Sequence, residues 1–218
     1  MKFNINAPFW QFMTLLVRFT ALNILFVITC IPIVTIGPAL AALYSTVFAY
    51  NDHDDVVLHR EYLKRLKREF VPSLLSFLIF LVLAAAIIFG FAFWNQIQSD
   101  IAYLGLAVLT IATVVTVFAF TYFYPVQARF ANSFGRTWKI ALMLPWGVFG
   151  HTLLLVAIDV AFLALILYVP FLRVFALIFG FAWIAYAKSL VLLKAFDKFS
   201  DPAKAMEQPT YVNSSASL

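Results

Sequence analysis

The stretch "CIPIVTIGPALAALY", residues 30–44, decides how the chain begins to fold. It lies inside a long apolar segment, yet it contains Pro32, Gly37 and Pro38. Proline lacks a backbone N–H and disfavours helix at the residue before it, whereas glycine adopts conformations that other residues do not. We therefore predict that a first helix ends or kinks near residues 30–33. A new helix should start at Pro38, because proline is favoured at the first helical position.

Small residues follow this break at every fourth position. Gly37, Ala41, Ser45 and Ala49 would form one stripe along the new helix, and such stripes let helices approach closely in membranes. The freed backbone groups at the break must be satisfied within the protein, and the hydroxyl of Thr35 is placed to help. The pattern favours a broken helix whose second half packs tightly. The alternative is that the break forms a binding site, as in transporters with discontinuous helices.

The composition indicates an integral membrane protein. Of 218 residues, 64% are apolar and 11% are charged, whereas a soluble domain has about 45–50% apolar and about 25% charged residues. There is too little polar surface to cover a water-soluble globule. The single cysteine, Cys30, excludes an internal disulfide, and its apolar surroundings predict a buried side chain rather than a reactive thiol.

Five segments are long and apolar enough to cross a bilayer, for which about 20 residues are needed. We predict one all-α transmembrane domain over residues 1–199, a polytopic helix bundle with a broken first hairpin and cytoplasmic amphipathic helices. Residues 200–218 are rich in proline and serine and are expected to form a disordered cytoplasmic tail. A cleavable signal peptide ending near residues 39–41 is a disfavoured alternative, since apolar sequence continues beyond it. The predicted spans are residues 15–36, 73–94, 101–124 (stopped by Pro125), 147–169 and 171–196.

The basic residues predict the orientation. Lysine and arginine cluster in residues 51–70, in residues 125–139 and near the C-terminus, whereas residues 95–100 have none. By the positive-inside rule the three basic regions are cytoplasmic and residues 95–100 are outside. This alternation places the C-terminus in the cytoplasm and the N-terminus outside.

Residues 51–70 predict an amphipathic cytoplasmic helix, capped by Asp54 or Asp55. It could lie on the anionic headgroups of the inner leaflet, or it could be a solvated connection between two spans. A second short helix should follow Thr137 and stop at Pro145. The apolar face of the first helix comprises Val56, Tyr62, Leu63, Leu66 and Phe70, and its basic residues are Arg60, Lys64, Arg65, Lys67 and Arg68.

Residues 22–50 resemble the signature of the YesL family of bacterial membrane proteins. That block typically reads Asn-Leu-Leu-Trp, then Pro-x-x-Thr-x-Gly-Pro, then Ala-Leu-Tyr, and here Phe26 stands near the position where the family often has Trp. The resemblance extends to about Phe199 and implies a multi-pass protein of the bacterial plasma membrane with unknown biochemical function. It also implies association with carbohydrate-uptake systems of the ABC type. The matching positions are Leu22, Asn23, Pro32, Thr35, Gly37, Pro38, Ala42, Leu43 and Tyr44.

Ionisable residues inside apolar spans are costly, so they are candidates for function. Lys188 is expected to extend to the cytoplasmic interface, and His151 to be an interfacial hydrogen-bonding residue. Asp159 lies near mid-span and must be neutral, paired or facing a wet cavity. We hypothesise that it pairs with Arg18; the alternative is that Arg18 reaches the outer headgroups and Asp159 is protonated. Together with Thr35, these residues give a candidate polar site of Arg18, Thr35, His151 and Asp159.

No motif indicates catalysis. The sequence lacks a His-Glu-x-x-His helix, a Gly-x-Ser-x-Gly elbow and a Gly-rich phosphate loop, so we expect no enzyme activity and no cofactor. The cluster of Asp52, His53, Asp54, Asp55 and His59 is more typical of a solvated turn with a helix cap than of a metal site.

The leading hypothesis is a non-enzymatic accessory or regulatory component associated with carbohydrate uptake. Its expected partners are anionic lipid of the inner leaflet, and either ABC-transporter subunits or further copies of itself, but not nucleic acid. The alternative is a small-solute transporter with a polar site between the broken first helix and Asp159.

Overall fold

A computed structural model describes residues 8–52, 57–97 and 99–199. All regular structure in these residues is helical, which confirms the predicted all-α class. The expected caps Asp54 and Asp55, the apolar Val56 and the tail over 200–218 lie outside the described residues.

The described part of the chain forms nine α-helices. A 3-10 turn, Ile33–Thr35, precedes the second helix, and a π-helical turn, Ala176–Gly180, precedes the ninth. The helices are α1 (Pro8–Thr29), α2 (Ile36–Asp52), α3 (Leu58–Arg68), α4 (Phe70–Trp94), α5 (Asp100–Arg129), α6 (Phe134–Gly147), α7 (Phe149–Tyr168), α8 (Pro170–Phe175) and α9 (Phe181–Phe199).

Five stretches of the described residues are long and apolar enough to span a membrane, so the helical bundle is compatible with a membrane protein. Four of them correspond to predicted spans. The first does not, because the structure has Ile33–Asp52 in place of residues 15–36. The apolar sequence on either side of Pro32 belongs to two helices rather than to one. The five stretches are Ile33–Asp52, Phe70–Trp94, Asp100–Arg129, Phe149–Tyr168 and Pro170–Lys198.

The break lies where the sequence predicts it. Pro32 is extended, with φ −73° and ψ 117°, and α1 has already ended at Thr29. The hydroxyl of Thr35 lies 2.5 Å from the carbonyl oxygen of Thr29 and 2.6 Å from that of Pro32. It thus meets backbone groups that the break frees. The new helix begins at Ile36 rather than at Pro38, and Pro38 occupies its first turn, where no backbone N–H is needed.

Two other prolines do not stop their helices, which corrects the prediction for each. Helix α5 continues through Pro125 to Arg129, and α6 begins at Phe134 and continues through Pro145 to Gly147. Both prolines are buried. Packing on several sides holds each helix together although one backbone hydrogen bond is lost.

Helix α2 is the centre of the bundle. At its start Gly37 lies against Ser73 and Phe77 of α4, and near its end Asn51 donates a hydrogen bond to Ser189 of α9 at 2.7 Å. Helix α3 packs along α2. The small-residue stripe of α2 is buried over its whole length: Gly37, Ala41, Ser45 and Ala49.

Helices α1 and α9 run in opposite directions. Phe19 packs on Trp183 and Tyr186, whereas further along α1 Asn23 and Phe26 reach residues 177–182. An N-terminus outside and a C-terminus inside would make these helices parallel. The antiparallel packing of α1 on α9 therefore disagrees with these two predicted placements taken together.

Helices α4 and α5 form a long antiparallel pair whose far part we call the outer hairpin, residues 81–94 and 100–117. Most of its apolar side chains are exposed, among them Val82, Phe89 and Leu104. The inner ends of the same helices, around Phe80 and Phe123, belong to the core. The candidate site lies on this inner side.

Candidate functional site

A cavity of about 380 Å³ lies between α1, α2, α5, α7 and α9. Its walls are mostly apolar, with aromatic rings from all five of these helices. Its polar lining consists of Tyr44, Thr121, Tyr124, Asp159 and Lys188, and its aromatic lining includes Phe26, Phe120, Phe162 and Phe181.

An ion pair forms one wall of the cavity. The Nζ of Lys188 donates to both carboxylate oxygens of Asp159, at 2.8 and 2.6 Å. Lys188 is only 5% exposed, and a buried ammonium is stable only when it is paired. The expectation that Lys188 extends to the interface is therefore wrong.

The two partners of this pair are unequally accessible. The Asp159 side chain is 44% exposed, whereas the Lys188 side chain lies behind it and is 7% exposed. A carboxylate offers about four acceptor positions. Lys188 occupies two of them, so Asp159 can accept further hydrogen bonds from a group in the cavity.

A second polar group in the wall lacks a partner. The hydroxyl of Tyr124 is buried and forms no hydrogen bond with the described residues, and the residue is 1% exposed. Buried polar atoms of this kind are rare, because each loses its bonds to water. The hydroxyl also lies 2.9 Å from where a Cβ on Gly37 would be, so it is buried at the start of α2, beside a residue that does not line the cavity.

The four residues of the predicted polar site do not come together. Asp159 lines the cavity, but Arg18, Thr35 and His151 do not. Arg18 is exposed on α1, Thr35 lies at the break, and His151 is half-buried in the first turn of α7. The hypothesised pair of Arg18 with Asp159 is therefore corrected to Lys188 with Asp159.

Sequence reasoning missed Lys188 as the partner, together with Tyr44 and Tyr124. One signal was available for the first: opposite charges stand in two consecutive spans joined by a short link, and such spans are usually neighbours. No pattern indicated the tyrosines, because which side of a helix faces a cavity depends on how the helices pack.

A different polar residue holds the start of α9 together. The side chain of Asn23, which is fully buried, donates to the carbonyl oxygen of Leu177 at 2.7 Å and accepts from the N–H of Ala182 at 2.9 Å. Leu177 lies in the π-helical turn and Ala182 lies just after it, where the regular pattern of backbone hydrogen bonds is interrupted. Asn23 thus replaces a missing backbone bond and has a structural role.

The predicted basic helix forms as α3, but one of its basic residues is buried. Arg65 is 2% exposed; its guanidinium hydrogen bonds to Glu61 at 2.7 Å and to the hydroxyl of Ser45. Burial lowers the pKa of Arg65, and the neighbouring Glu61 opposes that shift. Tyr62 is also buried and pairs with the hydroxyl of Thr29, whereas Leu63 is exposed. The exposed basic face of α3 comprises Arg60, Lys64, Lys67 and Arg68.

Within the described ranges, no three potential ligands from His, Cys, Asp and Glu lie together as a metal site would require. Asp52, from the acidic cluster, pairs with Arg129 at 2.8 Å. Residues 53–55 of that cluster lie outside the described ranges.

A family model described as "Protein of unknown function, DUF624" matches residues 19–91. The match extends from Phe19 in α1 into α4 and includes Asn23, Gly37 and Arg65, but neither Asp159 nor Lys188. No curated protein and no solved structure matches the chain.

Proposed function

We propose that this chain is a non-enzymatic integral membrane protein that binds a small ligand in the cavity beside Lys188 and Asp159. One observation carries the proposal: a half-exposed carboxylate lines a mostly apolar cavity, while its counter-ion is buried. This develops the small-solute transporter alternative of the sequence analysis, with Lys188 in the place of Arg18 as the partner of Asp159.

The size and lining of the cavity support binding. Small-molecule sites are cavities of about 300–1,000 Å³ with apolar walls and a few polar groups that orient the ligand. The cavity of about 380 Å³ has this character. Because Asp159 already accepts two bonds from Lys188, the pair is suited to orienting a ligand rather than to transferring a proton.

The proposed location is a bacterial plasma membrane, with the C-terminus and the basic helix α3 on the cytoplasmic side. The exposed lysines and arginines of α3 support this orientation, since such residues concentrate on the cytoplasmic side of membrane proteins.

The test is to find what the protein retains from a membrane. The full chain is purified in a mild detergent, and small molecules are extracted and identified by mass spectrometry. Val117→Trp would fill the cavity, whereas Val114→Trp, one turn away on α5 and outside the lining, is the matched control.

A compound enriched in the wild type and the control but lost in Val117→Trp would support the proposal. Equal retention by all three proteins would contradict it. Flux of the identified compound into liposomes would then separate a transporter from a binding protein.

A second candidate function is an accessory or regulatory role in carbohydrate uptake, the leading hypothesis from the sequence. The exposed basic face of α3 favours it, because that surface could meet anionic lipid or an acidic partner such as an ABC-transporter subunit. The resemblance to the YesL family is its other support. Affinity purification from the native membrane, compared between the wild type and Arg60→Gln/Lys64→Gln/Lys67→Gln, tests it. If a transport subunit copurified equally with both proteins, or with neither, the basic face of α3 would no longer support this function.

A further inference from the structure

Resting on the proposed function, we infer that the ligand of the ion-pair cavity is a lipophilic compound that enters sideways from the hydrocarbon of the bilayer, rather than a solute that enters from water. Three features of the structure carry the inference: which lining residues are exposed, how deep these residues lie in their helices, and what closes the cavity at its two ends.

The cavity opens between α5 and α7. Among the residues that line it, Val117 of α5 is 43% exposed, and the side chain of Asp159 of α7 is 44% exposed. The other lining residues are buried or half-buried. The cavity is therefore reached from the surface between Val117 and Asp159, and we call this opening the mouth.

Helices α5 and α7 are joined at one edge of the mouth. The hydroxyls of Tyr122 and Thr152 share a hydrogen bond of 2.9 Å, and both are buried. Val117 lies five residues before Tyr122, and Asp159 lies seven residues after Thr152. The hydrogen bond thus holds the two helices together beside the mouth without covering it.

The mouth lies near the middle of both helices. Asp159 is ten residues from the start of α7 and nine from its end, and a rise of 1.5 Å per residue puts each end about 15 Å away. Val117 is seventeen residues from the start of α5 and twelve from its end. Since the hydrocarbon core of a bilayer is about 30 Å thick, the mouth faces hydrocarbon at mid-depth rather than the aqueous surface.

Buried side chains close the cavity at both ends. Toward the start of α9, the ring of Phe181 lies 5.7 Å from that of Phe26 and 5.5 Å from that of Phe162. Toward the end of α9, Phe48 and Leu192 lie one turn beyond the lining residues of α2 and α9, and both are fully buried. Within the described residues, neither end has an opening comparable to the mouth.

The position of the mouth selects the class of ligand. A compound that enters there must first dissolve in the hydrocarbon core, and ions or strongly polar solutes do so poorly because they lose their bonds to water. The mostly apolar lining suits a lipophilic compound. If this compound carries a hydrogen-bond donor, the carboxylate of Asp159 at the mouth can orient it.

The test measures which medium reaches the cavity. In a Cys30→Ser background, a nitroxide spin label is attached to Ile184→Cys, a lining position on α9, and the full chain is reconstituted in phospholipid vesicles. Relaxation of the label is measured with oxygen, which concentrates in hydrocarbon, and with a neutral nickel chelate, which stays in water. The matched reference sites are Val108→Cys on the outer hairpin, which is 59% exposed, and Lys64→Cys on the exposed face of α3.

We expect the label at Ile184 to meet oxygen in preference to nickel, as the label at Val108 does, whereas the label at Lys64 prefers nickel. Val117→Trp narrows the mouth and should remove most of the oxygen contact at Ile184. Val114→Trp, one turn away and outside the lining, should leave it unchanged.

A label at Ile184 that prefers nickel would show a water-filled entrance and overturn the inference. Contact with neither reagent, or oxygen contact that Val117→Trp does not reduce, would also overturn it, as would retention of a compound that partitions into water rather than octanol. The comparison of oxygen with nickel needs no tryptophan variant, so it holds even if Val117→Trp fails to fold. The proposed function fails separately, when the extraction experiment enriches no compound although oxygen reaches Ile184.

Discussion

Helix α2 and the outer hairpin are both apolar enough to span a membrane, yet the protein surrounds only one of them. In the most apolar window of α2, 67% of the residues are buried, compared with 17% for α4 and 11% for α5. The α2 window is less apolar than those of α4 and α5, with a mean hydropathy of 1.6 against 2.9 and 2.3, and the two regions also differ in side-chain size. Helix α2 has glycine, alanine, serine and threonine along its buried side, whereas the hairpin carries many large aliphatic and aromatic residues. Small residues let helices approach closely, and large ones suit an apolar solvent.

The hydrogen bonds of polar side chains also differ between α2 and the outer hairpin. In α2, Ser45 and Asn51 hydrogen bond to residues of other helices, Arg65 and Ser189. In the outer hairpin, Thr110 and Thr113 donate to carbonyl oxygens four residues back in their own helix. The hairpin therefore satisfies its polar groups internally, whereas the structure of α2 depends on its neighbours.

The largest expected difference in unfolding free energy comes from adding one methyl group to α2 and, as a comparison, one to the outer hairpin. In Gly37→Ala the new Cβ would lie 2.6 Å from the Cβ of Phe77 and 2.7 Å from the carbonyl oxygen of Ser73, so backbone must move. In Gly90→Ala it would meet only the flexible end of Leu109, at 2.9 Å. We expect Gly37→Ala to cost about 3 kcal/mol or more of unfolding free energy and Gly90→Ala about 1 kcal/mol or less. Unfolding in detergent measures both, and equal losses would end the distinction between the regions.

The next largest loss of unfolding free energy is expected from replacing the buried Asn23. Asn23→Leu removes both hydrogen bonds at the π-helical turn and leaves backbone groups unsatisfied, so we expect a loss of about 2–4 kcal/mol. The matched control is Asn95→Leu at the exposed tip of the outer hairpin, where the side chain donates to the carbonyl oxygen of Phe91 in its own helix. That change should be close to neutral. Comparable losses in the two variants would show that Asn23 does not hold the start of α9 in place.

A third effect is the coupling of the ion pair beside α2. Asp159→Asn and Lys188→Met should each destabilise the protein, and the double variant should recover part of the loss, with a coupling energy of about 1–3 kcal/mol. The control cycle combines Asp159→Asn with Arg18→Gln, whose side chain is exposed, and should be additive. Coupling in the control cycle with none in the first would restore the pairing that the sequence suggested.

The sequence predicts features that depend on one residue and its immediate neighbours. Pro32 interrupts the first apolar segment in the structure as expected, because its effect on the backbone is local. Pro125 and Pro145 were predicted to end helices and do not, since packing against other helices outweighs the lost hydrogen bond. The bounds of the first span were also wrong, because they depend on packing. Residues 15–36 form one apolar segment in the sequence, whereas in the structure α1 and α2 are separate helices.

The candidate site was predicted in part. Asp159 was recognised because a carboxylate in mid-span is costly wherever it lies. Its partner was not, since Lys188 and Arg18 are both cations in apolar helices, and choosing between them requires the order in which the helices pack. Arg65 was assigned to an exposed basic face for a related reason: α3 is amphipathic, but its buried side contains an arginine that reaches Ser45 of α2.

The smallest expected loss of unfolding free energy comes from Tyr62→Phe, which tests the contact between α3 and the break that precedes α2. Tyr62 is fully buried and pairs with the hydroxyl of Thr29, which also donates to the carbonyl oxygen of Phe26. Tyr62→Phe removes one hydrogen bond while Thr29 keeps the other, so we expect a loss of about 1 kcal/mol. Tyr103→Phe in the outer hairpin, where the residue is 74% exposed, should change nothing measurable.

The pH dependence of the Tyr62 variant gives an independent measurement. Burial raises the pKa of the Tyr62 phenol above its ordinary value, so the folded protein favours the neutral form. That contribution is fully present below about pH 10, the pKa of an exposed tyrosine, and is lost as the pH rises further. Phenylalanine has no such group, so the stability difference between the wild type and Tyr62→Phe should shrink above that pH. A difference that stays constant into the alkaline range would mean that Tyr62 is as accessible to water as Tyr103, and the packing of α3 on α2 would have to be abandoned.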